Sequence, residues 1–200
     1  MISTRMIATL SVCALSTAAM GDVFTDSASF LGALSDSYTN AFDDAVPGAS
    51  PDLSYSSGGY SYTVSADGPV LGGLYNDTGL ISTNNATDGI LVTFTSGNVT
   101  AVGGNFWATD ILVFPTGTDV TITLSDGTSE SFVSTGPSDF RGFTSDIAID
   151  SIFIDAIDDV TGTPYWATMD NLIVGTAVPT PGAAALLGLA GLGATRRRRA

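Results

Sequence analysis

The chain has no histidine, no lysine and a single cysteine, Cys13. Each absence closes a class of function. Without histidine there is no side chain whose ordinary pKa lies near neutrality for acid/base work. Zinc and iron sites built on His and Cys go with it, as do cysteine nucleophiles and disulfide frameworks. A serine nucleophile between residues 22 and 177 would have neither His nor Lys as its base. No Gly-x-Ser-x-Gly elbow, phosphate-binding loop or dinucleotide fingerprint occurs. Six arginines face twenty acids, a net charge of −14, which repels a phosphate backbone and excludes nucleic acid as a partner. The pairs Asp43-Asp44 and Asp158-Asp159 offer the residue type used in glycoside hydrolysis. That chemistry needs one carboxyl with a raised pKa in an apolar pocket, and neighbours on a strand point to opposite faces. No catalytic residue is assigned, and the chain reads as a non-enzyme.

What is present begins with two end segments. Arg5, the apolar run Met6 to Ala14 and the small-x-small sequence Ala19-Met20-Gly21 form the three parts of a secretory signal peptide, residues 1–21. The run is too short to span a bilayer, and Cys13 would leave with it. At the other end Val178-Pro179-Thr180-Pro181 precedes a Gly/Ala/Leu run, Gly182 to Thr195, and then Arg196, Arg197, Arg198 and Arg199. The prolines end any strand before them, the apolar run can insert as a short hydrophobic helix, and the arginines hold its end on the cytoplasmic side. Residues 178–200 resemble the PEP-CTERM sorting tail of Gram-negative bacteria, which usually carries Glu where this chain has Thr180. The resemblance implies an exosortase-type transpeptidase as partner, acting on the segment marked by Pro179, Pro181 and the arginines. It also implies transient anchoring of the secreted chain in the inner membrane through this tail, then a place at the cell surface or in the extracellular matrix.

Between the ends, Arg141 stands alone against all twenty acids, a net charge of −19, and nineteen of those acids are Asp. Asp favours turns and caps over helix interiors. Residues 26–36 have one helical face, with Phe30, Leu31 and Leu34 together and Thr25 or Asp26 as a cap. The rest alternates short β-branched or aromatic runs with Gly, Ser, Thr and Asp. Strands are expected at 60–64, 90–95, 99–107, 111–114, 120–124, 129–134, 147–154 and 168–174. Asp126-Gly127 suits a two-residue hairpin turn. The phase of alternation slips near Ser151, where a β-bulge would restore it. The expected fold is all-β: one sandwich or jelly-roll domain over 22–177 with one short N-terminal helix.

Phe42-Asp43-Asp44, Phe140-Arg141-Gly142-Phe143, Ile147-Ala148-Ile149-Asp150-Ser151-Ile152 and Thr168-Met169-Asp170-Asn171-Leu172 are similar to segments of galactose-binding-like and carbohydrate-binding-module jelly rolls. With only oxygen ligands to offer, the domain's candidate metal is Ca²⁺. The resemblance implies a Ca²⁺ where first and last strands meet, with Asp43, Asp44 and Asp170 as ligands; a solvated loop and a strand-edge turn are the competing accounts. Sugars stack on aromatic rings, which selects Trp107, Tyr165 and Trp166, with Tyr55, Tyr60 and Tyr62 as a second cluster. For Trp107 and Trp166 burial in the core competes with a ligand role. Arg141 either clamps an acidic sugar or neutralises neighbours such as Asp139 and Asp146. The functional expectation is a secreted surface or matrix protein that grips exopolysaccharide with Ca²⁺. Its alternatives are a structural or adhesive protein without a small ligand, and a glycan-acting hydrolase.

Overall fold

β-branched and aromatic residues at every second position, punctuated by glycine and aspartate, fold here into two antiparallel sheets packed face to face. The computed structural model describes residues 21–68, 72–156 and 162–179. The signal segment up to Met20, Asp158-Asp159, and the tail from Thr180 with Pro181 and Arg196 to Arg199 lie outside the described residues. The larger sheet runs in the order β1 (Val23–Phe24), β13 (Phe140–Thr144), β9 (Ala101–Thr109), β15 (Trp166–Ala177), β7 (Leu80–Thr83), β6 (Leu74–Asp77) and β3 (Gly48–Ser50). β2 (Leu34–Asn40) also pairs with β15, and β10 (Pro115–Thr116) pairs with β9. The smaller sheet is β12 (Ser129–Val133), β11 (Asp119–Leu124), β14 (Ser151–Ala156), β8 (Gly89–Phe94), β5 (Tyr60–Asp67) and β4 (Leu53–Ser57).

The core lies between the sheets. Val64, Ile90, Val92, Ile122, Ile152 and Ile154 come from the smaller sheet; Ile81, Val102, Phe106, Met169, Leu172 and Val174 come from the larger. Each buried aliphatic side chain of this size contributes roughly 1.5–3 kcal/mol. The cluster Tyr55, Tyr60 and Tyr62 belongs to this interior and not to a binding face. Tyr60 and Tyr62 are buried, and Tyr55 lies between the rings of Phe42 and Tyr62. Gly58 and Gly59, both with positive φ, form the two-residue turn joining β4 to β5.

β9 is buried on its outer face too, because a helix covers one part of it. α1 (Ser27–Gly32) starts at the cap Asp26, whose carboxylate accepts from the Ser29 amide at 2.8 Å, and seats Phe30 over Gly103 and Gly142. Those glycines are register partners, and a Cβ on either would stand 2.6–2.8 Å from the Phe30 ring. The expected helix over 26–36 stops at Gly32 because Leu34 onward pairs with β15.

Three other local expectations are corrected. Residues 111–114 form a loop, since the Asp110 carboxylate binds the amides of Leu112 and Phe114 and Val113 takes φ +65°. Residues 147–150 precede β14, so the slip near Ser151 marks the start of a strand and not a bulge within one; the Ser125 hydroxyl receives both the Asp150 and Ser151 amides there. The β11–β12 hairpin forms, but Leu124 N–H donates to the Thr128 carbonyl, so the turn spans three residues with Gly127 at φ +94°.

Candidate functional site

Alternation along β9 turns Val102, Phe106 and Ala108 into the core and Trp107 and Thr109 outward. Across the outer face, Tyr75, Ser82, Thr168 and Trp107 are successive register partners on β6, β7, β15 and β9, and Trp166 pairs with Thr109 beside them. Three buried hydroxyls tie this floor together. Ser82 Oγ donates to the Ala167 carbonyl at 2.9 Å, Thr168 Oγ1 donates to Ser82 Oγ at 3.1 Å, and the Thr109 and Thr168 hydroxyls meet at 3.1 Å. Above it lies a cavity of about 250 Å³, lined by Tyr75, Ser82, Asn84, Thr109, Asp110 and Trp166, with Ile111 and Val113 as one wall.

That wall is a tightly held loop. Asp110 Oδ1 accepts from Leu112 N at 2.8 Å and Phe114 N at 3.0 Å. The Asp110 amide donates to the Phe114 carbonyl, and the Val113 amide donates back to the Asp110 carbonyl. The loop is thus fixed while its side chains face water: Ile111 is 75%, Leu112 68% and Phe114 63% exposed.

Of the four ligand-binding residues expected from the sequence, Trp166 lines the cavity. Trp107 is 2% exposed and offers no open ring face; it supports the floor as the register partner of Thr168, which separates it from Ser82. Tyr165 is half-buried against the sandwich core. Arg141 points the other way, between the sheets. Its guanidinium sits 3.7 Å from the Phe132 ring centre, its Nε lies 3.4 Å from Glu130 Oε1, and Nη1 donates to the Phe140 carbonyl. The Nε–Glu130 contact is an ion pair outside hydrogen-bonding geometry. Arg141 makes its ion pair with Glu130, and its charge also reaches Asp139, one of the two acids the sequence nominates for it. Asp139 itself closes a turn. Burial opposes its ionisation, but the Thr135 hydroxyl and amide, the Gly136 amide and the Arg141 charge hold its carboxyl below the ordinary value.

The three proposed metal ligands divide. β7 and β2 pair with the same edge of β15, at 168–169 and from Leu172 onward, and part at the bulge Asp170-Asn171, where Asn171 takes φ +50°. Asp43 faces Asp170 at this fork. Burial raises the Asp170 pKa, the Asn171 amide partly offsets that, and the Asp43 charge raises it further. Asp44 lies elsewhere, in a groove with Tyr55 and Asn76. Burial, then the Asp44 charge, pushes the Tyr55 phenol up to about 12. Among the described residues no three His, Cys, Asp or Glu side chains converge as a metal group. Asp43, Asp170 and the Ala41 carbonyl, which borders Gly79 together with Asp43, are the hard oxygens Ca²⁺ favours, yet they fall short of the six to eight it takes.

The cavity residues Tyr75, Ser82, Asn84, Thr109 and Asp110 are not evident in the sequence as a set, since three strands and two loops contribute them. The one local signal is Asp110 ahead of four apolar residues, a side-chain-capped turn. No family model matches the chain, and no curated protein matches it.

Proposed function

We propose that this chain is a non-enzymatic secreted bacterial surface or matrix protein whose jelly-roll domain binds exopolysaccharide at the Trp166 cavity. One observation carries the reading: an aromatic pair, Trp166 and Tyr75, shares a concavity with the hydroxyls of Ser82 and Thr109. Ring faces for stacking beside fixed polar groups suit a polyol. The sorting tail fits this use. Trp166 begins β15 and Ala177 ends it, so a tail leaving after Pro179 departs from the opposite end of a strand about 36 Å long. A domain held at the membrane through that tail, before an exosortase-type transpeptidase processes it, would turn the cavity outward.

Ca²⁺ enters as a subordinate part. Asp43 and Asp170, with the Ala41 carbonyl, would hold it, lowering the mutual repulsion of the two carboxylates; Asp44 takes no part. The test is binding of the purified chain to a polysaccharide panel in Ca²⁺ and in EDTA. Saturable binding is expected, weakened by EDTA if the cation orders the fork. A folded chain that binds no polysaccharide in either condition contradicts the reading.

A structural or adhesive role without a small ligand is favoured by the exposed Ile111, Leu112 and Phe114. It predicts cation-dependent self-association in the absence of sugar, measured by light scattering.

A further inference from the structure

We infer that the Trp166 cavity selects a single neutral sugar unit with an apolar substituent, such as a 6-deoxyhexose or an N-acetylhexosamine, over an acidic one. This deepens the glycan reading above and rests on it. Size comes first. At about 250 Å³ the cavity falls just below the ~300–1,000 Å³ of pockets that enclose drug-sized ligands, so it takes one ring and leaves the rest of a chain outside.

Charge decides the class. The single charged group lining the cavity is Asp110, and Oδ1 of that carboxylate is engaged by two loop amides. Among the described residues no cation stands opposite. Arg141, the sole arginine between Asp22 and Thr180, is held by Glu130 and Phe132. It pairs with Gly104, five residues from Thr109 along β9, roughly 17 Å away at strand rise and beyond a Debye length of about 8 Å at physiological salt. A uronate bound in the cavity would meet Asp110 with no counter-charge.

Apolar contact gives the preference within neutral sugars. Ile111 and Val113 wall one side and Trp166 lines the cavity with them, while Ser82, Thr109 and Asn84 supply the polar contacts. A methyl or acetyl group would bury against the wall while ring hydroxyls meet the floor. The fixed Asp110 loop presents that wall without further ordering.

The test is ligand-observed NMR titration of the purified full chain with L-fucose, N-acetylglucosamine, glucose and glucuronate, each in Ca²⁺ and in EDTA. The expected order is fucose or N-acetylglucosamine over glucose by several-fold, and over glucuronate by tenfold or more. Ile111→Ser, at an exposed position, is expected to lower fucose and N-acetylglucosamine binding to about that of glucose. Asn84→Lys, also exposed, is expected to narrow the gap to glucuronate. Glucuronate binding as tightly as the neutral sugars, in either condition, overturns the inference and leaves the glycan reading standing. Unchanged sugar binding in Trp166→Ala puts the sugar elsewhere and overturns the inference together with the placement of the glycan at this cavity. A folded chain that binds none of these sugars but binds a polysaccharide overturns only the inference, whereas binding of neither overturns both.

Discussion

Phe30 acquires its place from two side chains that are missing. Gly103 and Gly142 face each other across β9 and β13, and the ring fills the space their Cβ atoms would occupy. Phe30 also contacts the Phe24 and Phe140 rings, so a small second core forms on the outer face. Phe30→Ala is expected to cost about 3–5 kcal/mol in urea unfolding, and a loss below 1 kcal/mol would show that α1 is not anchored by this ring. Asp170 makes a prediction of opposite sign. Its folded pKa is raised, so the native state holds that proton more tightly than the unfolded chain. Its contribution to stability is therefore greatest in acid and is lost as pH rises from the unfolded value, about 3.9, through the folded one. Asp43→Asn removes one cause of the raise. In EDTA it is expected to increase the Tm at pH 7 and to leave it unchanged near pH 3, as calorimetry at both pH values would register. A variant destabilised at pH 7 would mean that the two carboxylates do not repel across the fork.

At the scale of elements, the Asp110 loop is held by its own carboxylate. Asp110→Ala is expected to speed hydrogen exchange at the Leu112 and Phe114 amides by an order of magnitude or more and to weaken sugar binding with it. Exchange unchanged at both amides would remove the loop as a preformed wall. This loop also shows where sequence reading stopped. Ile111 to Phe114 has strand composition, and the strand assignment fails because one aspartate satisfies the local amides and Val113 turns left-handed. By contrast, β5, β8, β9 and β11 were legible because each has enough apolar residues to mark its inward face. β2, Leu-Ser-Asp-Ser-Tyr-Thr-Asn, carries too few, and its pairing with β15 overrides its composition. Gly58-Gly59 is a two-residue turn sequence, and the hairpin it closes turns Tyr60 and Tyr62 into the core, away from any ligand. Of the site, Trp166 was visible as an aromatic at a turn. Its neighbours were not, because register alone brings Tyr75, Ser82 and Thr109 to it.

Over the whole molecule, the two faces of the larger sheet differ in what covers them. The smaller sheet and the inner face of the larger one form the core, and Arg141 closes one edge of it with Phe132 and Glu130. The outer face of the larger sheet carries α1 over one part and the Trp166 cavity at the end of β15 farthest from the tail. A net charge of −19 over residues 22–177 disfavours contact between like copies. The central claim is that this cavity binds a glycan through Trp166. Its most direct test compares the wild-type chain with Trp166→Ala on a polysaccharide panel by calorimetric titration, with circular dichroism to verify the fold. The account predicts saturable wild-type binding that falls at least tenfold in the variant while the fold is retained. Equal binding by both chains, or none by the folded wild type, would contradict it.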